Sequence, residues 1–150
     1  MTSPLPEPSE TILVVDGDSE VLALAVDILQ RAGYTVLSRA DPHHALRLAR
    51  THTEPIHLLL TDVVMPLMNG LQLAEEVRVL RPEVKILLMS VYRTKEIEDY
   101  RMQLGLQGLF LDKPFTVAGL LEAVRSLSSG ARKRATSWPV RFREGEGGPG

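Results

Sequence analysis

The sequence contains no cysteine, and this absence excludes a disulfide framework, thiolate metal sites and thiol nucleophiles. It also lacks any apolar run near the roughly 20 residues that a membrane-spanning helix needs, so we predict no membrane insertion. The opening residues, MTSPLPEPSE, have no apolar segment of the kind found in secretory signals. The expected location is therefore the cytoplasm.

Size and composition predict one folded domain with a tail at each end. The chain has 150 residues, 44% of them hydrophobic and 24% charged, and a typical domain has about 100–150 residues. Residues 1–10 are rich in Pro, Ser and Glu, and residues 129–150 are Gly-rich with five Lys and Arg residues against two acids. Both ends are predicted to be flexible, which leaves 11–128 as the domain.

The basic tail at 129–150 allows two interpretations. It is either a solvated extension or a docking segment for an acidic partner, in which Trp138 and Phe142 would add apolar contacts. It is too short to fold a second core, so no DNA-binding or catalytic output domain is expected. A net charge of −2 gives the whole chain no general attraction to nucleic acid, and no direct binding is expected.

Short apolar runs alternate with longer stretches of helical period, which predicts strand–helix units on a parallel sheet. The runs are 11–16, 34–38, 56–62, 85–90 and 108–112, and their near-continuous Val, Ile and Leu content is typical of strands covered on both faces. Five helices are predicted between and after these runs. The first begins at a Ser19 cap and ends at Gly33, the second begins at an Asp41 cap, and the fifth begins at a Thr116 cap. The third covers about 71–80 and the fourth about 94–104. Five such units predict an α/β fold with a doubly wound five-stranded parallel sheet.

Polar side chains follow four of the five runs. Asp16 and Asp18 come after the first run, and Asp62 ends the third. Ser90 and Lys113 stand at the ends of the fourth and fifth. Because the carboxyl ends of parallel strands meet at one edge of a sheet, where ligands bind in such folds, these side chains are expected to converge.

The most specific pattern surrounds Asp62. The segment TDVVMPLMNG places Met65-Pro66 three and four residues after Asp62 and Asn69-Gly70 seven and eight residues after it. Together with VVDGDSEV, ILLMSVY and the closing Lys113-Pro114-Phe115, these residues resemble the receiver domain of two-component response regulators, over about residues 11–128. The resemblance implies a flavodoxin-like, CheY-like (βα)5 fold with strand order 2-1-3-4-5.

The resemblance also implies a function. Asp62 would accept a phosphoryl group from a sensor histidine kinase, a phosphotransfer protein or a small phosphodonor, with the help of Mg²⁺. Asp16, Asp62 and the backbone carbonyl of Val64 would be the metal ligands, since Mg²⁺ prefers oxygen. Ser90 and Lys113 would bind the phosphoryl oxygens. The chain would not be an enzyme in the usual sense, because it would only accept a phosphoryl group on its own Asp62 and lose it again.

A switch is implied as well. Phe110, three residues before the lysine, would change rotamer as Ser90 moves toward the phosphate. The fourth helix, fifth strand and fifth helix would then bind a downstream protein or a second copy of the chain. In the fourth helix, Ile97, Tyr100 and Leu104 offer apolar contacts, although a helix of that length usually buries such a stripe on its own sheet.

Two positions depart from the family pattern. The family usually has two adjacent acids after the first strand, and here the second is Gly17, so Mg²⁺ affinity should fall unless Asp18 takes its place. Gly17 permits a positive φ, which could bend the turn far enough for that exchange; otherwise it only eases a tight turn. After the hydroxyl residue the family prefers a small side chain, and Val91, together with Val64 and Tyr92, should narrow access to the site and prolong the phosphorylated state.

Other readings of the same residues stay open. The chain could be a receiver-like interaction module that binds its partner without phosphate, since Gly17 weakens the metal site. Asp16-Gly17-Asp18 also resembles the motif of haloacid-dehalogenase-type phosphatases, with Asp16 as nucleophile and Asp18 as general acid, although the next acid after the lysine is only Glu122. A nucleotide or flavin module is set aside, because neither G-x-G-x-x-G nor a P-loop is present. His43 and His44 are expected to face solvent.

Overall fold

The computed structural model describes residues 10–128, which form a five-stranded parallel sheet covered by helices on both faces. The strands are β1 (Thr11–Val15), β2 (Thr35–Arg39), β3 (Leu58–Asp62), β4 (Lys85–Ser90) and β5 (Gly108–Asp112). The helices are α1 (Ser19–Arg31), α2 (Pro42–Thr51), α3 (Gly70–Leu80), α4 (Lys95–Leu104) and α5 (Val117–Leu127), with a short 3₁₀ helix at Gly105–Gln107. The strand order, β2-β1-β3-β4-β5, confirms the predicted fold.

Alternate residues of the central strands enter two separate apolar layers. Leu13 and Val15 of β1 pack with side chains of α2, α3 and α4, whereas Ile12 and Val14 pack with side chains of α1 and α5. All four are at most 1% exposed, and burying each such side chain stabilises the fold by about 1.5–3 kcal/mol. A strand with both faces covered has no polar face, which explains the unbroken apolar runs of the sequence.

Side-chain caps fix where each helix begins. Asp41 and Thr116 accept hydrogen bonds from the first turns of α2 and α5, as predicted. The prediction of Ser19 as the cap of α1 is wrong, because Asp18 accepts the first-turn hydrogen bonds and Ser19 is the first helical residue. Asp and Ser both cap helices well, so residue type alone could not decide which of the two adjacent residues is the cap.

The apolar stripe of α4 faces inward. Ile97, Tyr100 and Leu104 are 3%, 7% and 5% exposed and pack on the sheet. Of the two roles predicted for this stripe, burial on the sheet is therefore confirmed, and contact with a partner is wrong. The large apolar side chains that this region does expose are Met102 and Leu106, at 71% and 74%.

Arg81, immediately after α3, ties together the edge of the sheet where the strands begin. Its Nε donates to the carbonyl oxygen of Ala49 at 2.8 Å, its Nη1 to that of Glu54 at 3.0 Å, and its Nη2 to that of His52. The last carbonyls of an α-helix have no partner within the helix. Arg81 supplies partners at the end of α2 and in the connection to β3.

The predicted domain limits, 11–128, stay a prediction. Glu10, counted with the N-terminal tail, hydrogen-bonds to the sheet, since its carbonyl accepts a 3.0 Å hydrogen bond from the N–H of Thr35. The predictions for residues 1–9 and for 129–150, with Trp138 and Phe142, lie outside the described residues. His43 and His44 are exposed, as expected. Within residues 10–128, no helix combines the length and apolar character needed to cross a membrane.

Candidate functional site

Four polar side chains from distant parts of the chain meet at the carboxyl edge of the sheet. Asp16 follows β1, Asp62 ends β3, Ser90 ends β4 and Lys113 follows β5. The Nζ atom of Lys113 lies 3.0 Å from Oδ2 of Asp16 and 3.6 Å from Oδ1 of Asp62. All four residues line one cavity of about 540 Å³. The convergence expected from the strand ends is therefore present.

Asp16 is held by its own turn and by the lysine. Its side chain is 1% exposed. Its Oδ1 accepts a 2.8 Å hydrogen bond from the backbone N–H of Asp18, while its Oδ2 binds Lys113. Burying a carboxylate is costly unless its oxygens are hydrogen-bonded, and here both oxygens have a partner.

Asp18 performs a structural task at the start of α1. It is exposed, and its Oδ1 accepts hydrogen bonds from the N–H groups of Glu20 and Val21 at 2.9 and 3.3 Å. The side chain thereby satisfies two of the amides that a helix leaves free at its first turn. A role for Asp18 as a metal ligand stays a prediction.

The turn at Gly17 is ordinary in its backbone. The expectation that a positive φ bends it is wrong, because in the part of the chain that the structure describes the glycines with positive φ are Gly33 and Gly105. The position also has space, since a β-carbon there would lie 4.0 Å from the nearest neighbouring atom, the carbonyl oxygen of Ala40. Gly17 thus leaves room beside the site that a side chain could occupy.

The electrostatics of Asp62 are dominated by burial and by a second carboxylate. Burial raises the pKa of the Asp62 carboxyl above its usual value, and the neighbouring Asp16 carboxylate raises that pKa further. The Lys113 ammonium lowers the pKa of Asp62, but by less than burial and Asp16 raise that pKa. Two carboxylates against one ammonium leave excess negative charge, which favours the binding of another cation.

The loop after β3 packs directly against the backbone of Asp62. A β-carbon on Gly70 would lie 2.2 Å from the carbonyl oxygen of Asp62, so only glycine fits there. The Gly70 N–H donates to the carbonyl of Val63 at 2.8 Å, and Asn69 caps α3 in a reciprocal arrangement with Gln72. The Asn69-Gly70 pair therefore shapes the loop, as expected from the sequence.

An apolar collar, defined as Val64, Val91 and Tyr92, surrounds the mouth of the cavity. These side chains are 66%, 62% and 68% exposed, and all three line the cavity. Ser90 lies beneath them at 1% exposure, and its Oγ accepts a 3.1 Å hydrogen bond from the N–H of Tyr92. An effect of this collar on access to Asp62 stays a prediction.

A larger cavity, of about 680 Å³, lies at the opposite edge of the sheet and is lined by residues such as Pro55, His57 and Arg81. None of the four converging residues borders it. Cavity size alone therefore does not single out the converging residues, whereas their clustered charges do.

Arg93 is a residue of this region that the sequence reasoning missed. Its guanidinium lies over the ring of Phe110, with 4.3 Å from Cζ to the ring centroid, and it binds the carboxylates of Asp112 and Glu98. Phe110 is half-buried and also packs against the core that contains the α4 stripe. An arginine in a loop carries no signal of its own, and its main partner stands 19 residues away.

The donor atoms at the site suit Mg²⁺. Among residues 10–128, no three His, Cys, Asp or Glu side chains are grouped so that they could hold a metal ion. The protein ligands would be the carboxylates of Asp16 and Asp62 with the carbonyl of Val64. Mg²⁺ is commonly bound by one or two carboxylates and keeps several waters, so two buried carboxylates with excess negative charge fit the ion.

The phosphatase reading finds less support in the geometry. Asp18, its general acid, caps α1. Glu122, the next acid after the lysine, is exposed on α5 and is absent from the residues that line the cavity. The reading also leaves Asp62 without a task.

Solved structures of similar fold were found by comparison. A CheY-like receiver domain protein from Methanospirillum hungatei JF-1 superposes with a TM-score of 0.75 at 28% identity, covering 85% of this chain and 99% of that one. The chemotaxis protein CheY4 of Vibrio cholerae gives a TM-score of 0.73 at 27% identity, covering 81% and 100%.

Sequence relatives agree with the structures. The putative two-component response regulator ARR21 of Arabidopsis thaliana is 35% identical over 103 residues, which are 69% of this chain and 16% of that protein. The response regulator receiver protein CpdR of Brucella abortus (strain 2308) is 28% identical over 116 residues, 77% of this chain and 94% of CpdR. The chain spans 57% of the regulatory protein PhoP of Bacillus subtilis, so ARR21 and PhoP contain long regions that it does not match.

The family model described as the response regulator receiver domain matches residues 12–125. This range includes the four converging residues, the loop shaped by Asn69-Gly70 and Phe110. By this match, and by the strand order and site geometry already described, the chain belongs to the receiver domain family of two-component response regulators.

Proposed function

We propose that this receiver domain is a phosphoacceptor: Asp62 takes a phosphoryl group with the assistance of Mg²⁺, and the phosphorylated state alters a surface that binds a partner. One observation carries the proposal. The ammonium of Lys113 lies 3.6 Å from the Asp62 carboxylate, beside the second buried carboxylate of Asp16. A nucleophilic carboxylate with a cation next to it suits the transfer of a negatively charged group.

The reaction is an in-line displacement at phosphorus. An oxygen of Asp62 attacks, and the new P–O bond forms as the bond from phosphorus to the leaving nitrogen of a phosphohistidine, or to the leaving oxygen of a small phosphodonor, breaks. The leaving group keeps the electron pair and takes a proton from water. Lys113, which binds Asp16 in the resting protein, can turn its ammonium toward one of the transferring oxygens.

Asp16, Asp62 and the carbonyl of Val64 would hold Mg²⁺, which supplies positive charge to the transferring phosphoryl group. The departure of Lys113 from Asp16 would free a carboxylate oxygen for this purpose. The Oγ of Ser90, which accepts from Tyr92 in the resting protein, would donate its hydroxyl hydrogen to a phosphoryl oxygen. That movement would draw the loop after β4 toward Asp62.

The partners follow from this chemistry. The phosphoryl donor would be a sensor histidine kinase or a phosphotransfer protein, and the receptor of the signal would be a downstream protein or a second copy, bound at the face of α4, β5 and α5. Similarity to the solved receiver domain of the hybrid histidine kinase CckA supports this context, with a TM-score of 0.66 at 30% identity over 79% of this chain and 99% of that one.

Intact mass spectrometry after incubation with a small phosphodonor and Mg²⁺ tests the proposal. We expect the mass of one phosphoryl group on the wild type and none on Asp62→Ala. Asp16→Asn is the matched comparison, because it keeps Asp62 while weakening the metal site: a slower but detectable modification is expected. A covalent phosphate that survives in Asp62→Ala but disappears in Asp16→Asn would instead favour the phosphatase reading.

A second candidate function, a receiver-like module that binds its partner without phosphate, is favoured by one observation. Gly17 leaves the metal site with two carboxylates where the family pattern has three. Titration with beryllofluoride and Mg²⁺, followed by NMR, separates the two. Chemical-shift changes at Val64, Ser90 and Lys113 support phosphorylation, and their complete absence supports the second candidate.

A further inference from the structure

Arg93 connects the loop after β4 to both β5 and α4. Its Nε and Nη2 atoms donate to the two carboxylate oxygens of Asp112 at 3.2 and 3.3 Å. Its Nη1 atom donates to Oε2 of Glu98 at 3.0 Å. The guanidinium carbon lies 4.3 Å from the centroid of the Phe110 ring. One side chain thus makes two kinds of contact with β5 and one with α4.

The position of Arg93 places these contacts close to Ser90. Only residues 91–94 separate the end of β4 from the start of α4. In the sheet, Ser90 pairs in register with Asp112, and Asp112 is the residue whose carboxylate Arg93 binds. A displacement of Ser90 toward Asp62 would therefore pull on a loop that Arg93 fastens to the neighbouring strand.

The ion pairs of Arg93 are partly exposed, but one guanidinium makes all of these contacts together. The side chains of Arg93, Glu98 and Asp112 are 47%, 32% and 65% exposed, and single ion pairs of that kind contribute little. A planar guanidinium that binds one carboxylate through two nitrogens and also covers an aromatic ring restricts both partners at once. The Phe110 ring contacts both this guanidinium and the apolar core that includes the α4 stripe.

We propose that Arg93 is a positioning residue that holds the loop after β4 and the ring of Phe110 in the unphosphorylated arrangement, so that phosphorylation has to break its contacts. The link to phosphorylation rests on the proposed function. The restraint itself concerns the resting protein and can be measured without any phosphoryl group.

The test compares Arg93→Gln with wild type and with Lys95→Gln. The control also removes one positive charge, that of an exposed lysine paired with Asp99 on α4 at 2.8 Å, but it touches neither Phe110 nor Asp112. Hydrogen exchange of the Tyr92 amide, which donates to Ser90, reports the resting loop. The apparent affinity for beryllofluoride with Mg²⁺ reports the activated state.

Arg93→Gln should accelerate exchange at Tyr92 and tighten beryllofluoride binding by about fivefold, which corresponds to about 1 kcal/mol. The affinity rises because a larger fraction of the protein is already free to adopt the activated arrangement. Lys95→Gln should change neither quantity. Arg93→Lys, which keeps the charge without the planar fork, should behave like Arg93→Gln.

Each result decides a separate question. Unchanged exchange in Arg93→Gln overturns the proposal, and so does faster exchange with unchanged beryllofluoride affinity, because the restraint would then not oppose activation. If the wild type itself binds no beryllofluoride while exchange accelerates in Arg93→Gln, the proposed function fails but the restraint on the resting loop is supported.

Discussion

An aspartate in place of Gly17 would give the site a third carboxylate. The β-carbon would lie 4.0 Å from its nearest neighbour, the carbonyl oxygen of Ala40, and the backbone at this position is outside the positive-φ region that only glycine adopts with ease. The substitution can therefore add a charge without straining the turn. We expect Gly17→Asp to bind Mg²⁺ more tightly than the wild type.

The expected gain in Mg²⁺ affinity follows from the added charge and from the loss of hydration. Two unit charges 4 Å apart attract by about 4 kcal/mol at an effective dielectric constant of about 20, and a divalent ion doubles that figure. Loss of hydration by both groups cancels most of it, and a net gain of about 1.4 kcal/mol means about tenfold tighter binding. Without Mg²⁺, a third negative charge beside Asp16 and Asp62 should lower the free energy of unfolding by roughly 1 kcal/mol.

Calorimetric titration and thermal unfolding at increasing Mg²⁺ concentration measure the two effects. An ion that binds only the folded state stabilises that state more as its concentration rises. Gly17→Asp should therefore unfold at a lower temperature than the wild type without Mg²⁺, and this difference should shrink as Mg²⁺ is added. Gly17→Asn adds the same volume without the charge and should show neither change. Equal Mg²⁺ affinity in the Asp and Asn variants would refute the reasoning that a missing carboxylate limits metal binding here.

Four further outcomes are expected. Asp18→Ala should lose about 1 kcal/mol of stability in urea unfolding, the usual value of an N-cap, while its Mg²⁺ affinity in calorimetry stays unchanged; a loss of metal binding would instead make Asp18 a ligand. Gly70→Ala should lose about 1–3 kcal/mol in the same urea assay, because its β-carbon would overlap the Asp62 carbonyl oxygen, whereas Gly17→Ala should be nearly neutral. Val91→Ala should shorten the lifetime of the aspartyl phosphate, followed by intact mass, since it opens the collar; an unchanged lifetime contradicts the role of Val91. Asp62→Asn should unfold at a higher temperature than the wild type at neutral pH, because the raised pKa of Asp62 means that its ionisation costs stability, and the difference should vanish below the ordinary carboxyl pKa of 3.8, where Asp62 is protonated in both states.

The architecture could be predicted because its signals are local and repeated. Each apolar run is short, nearly free of polar residues and followed by a helical period, so the five strands, and the polar residues at the ends of four of them, could be predicted. The meeting of Lys113 with Asp16 and Asp62 followed from parallel topology, which brings the carboxyl ends of strands to one edge whatever their separation along the chain.

The details that depend on three-dimensional neighbours could not be predicted in the same way. Asp18 and Ser19 are both good caps, and only the backbone path decides between them. A period of three and four residues shows that Ile97, Tyr100 and Leu104 share one face of a helix, but not whether that face meets the sheet or a partner. The contact of Arg93 with Phe110 depends on a loop conformation that no pattern of residue types encodes.

The hydrogen bonds of Arg81 stabilise the edge of the sheet opposite to the four converging residues. They fasten the end of α2 and the start of the path into β3 at the edge of the sheet far from Asp62. Engineering for heat resistance can therefore concentrate on that edge, where gains in rigidity leave the reacting groups untouched. Under the proposed function, tuning of signal duration would instead concentrate on the collar, at the other edge of the sheet.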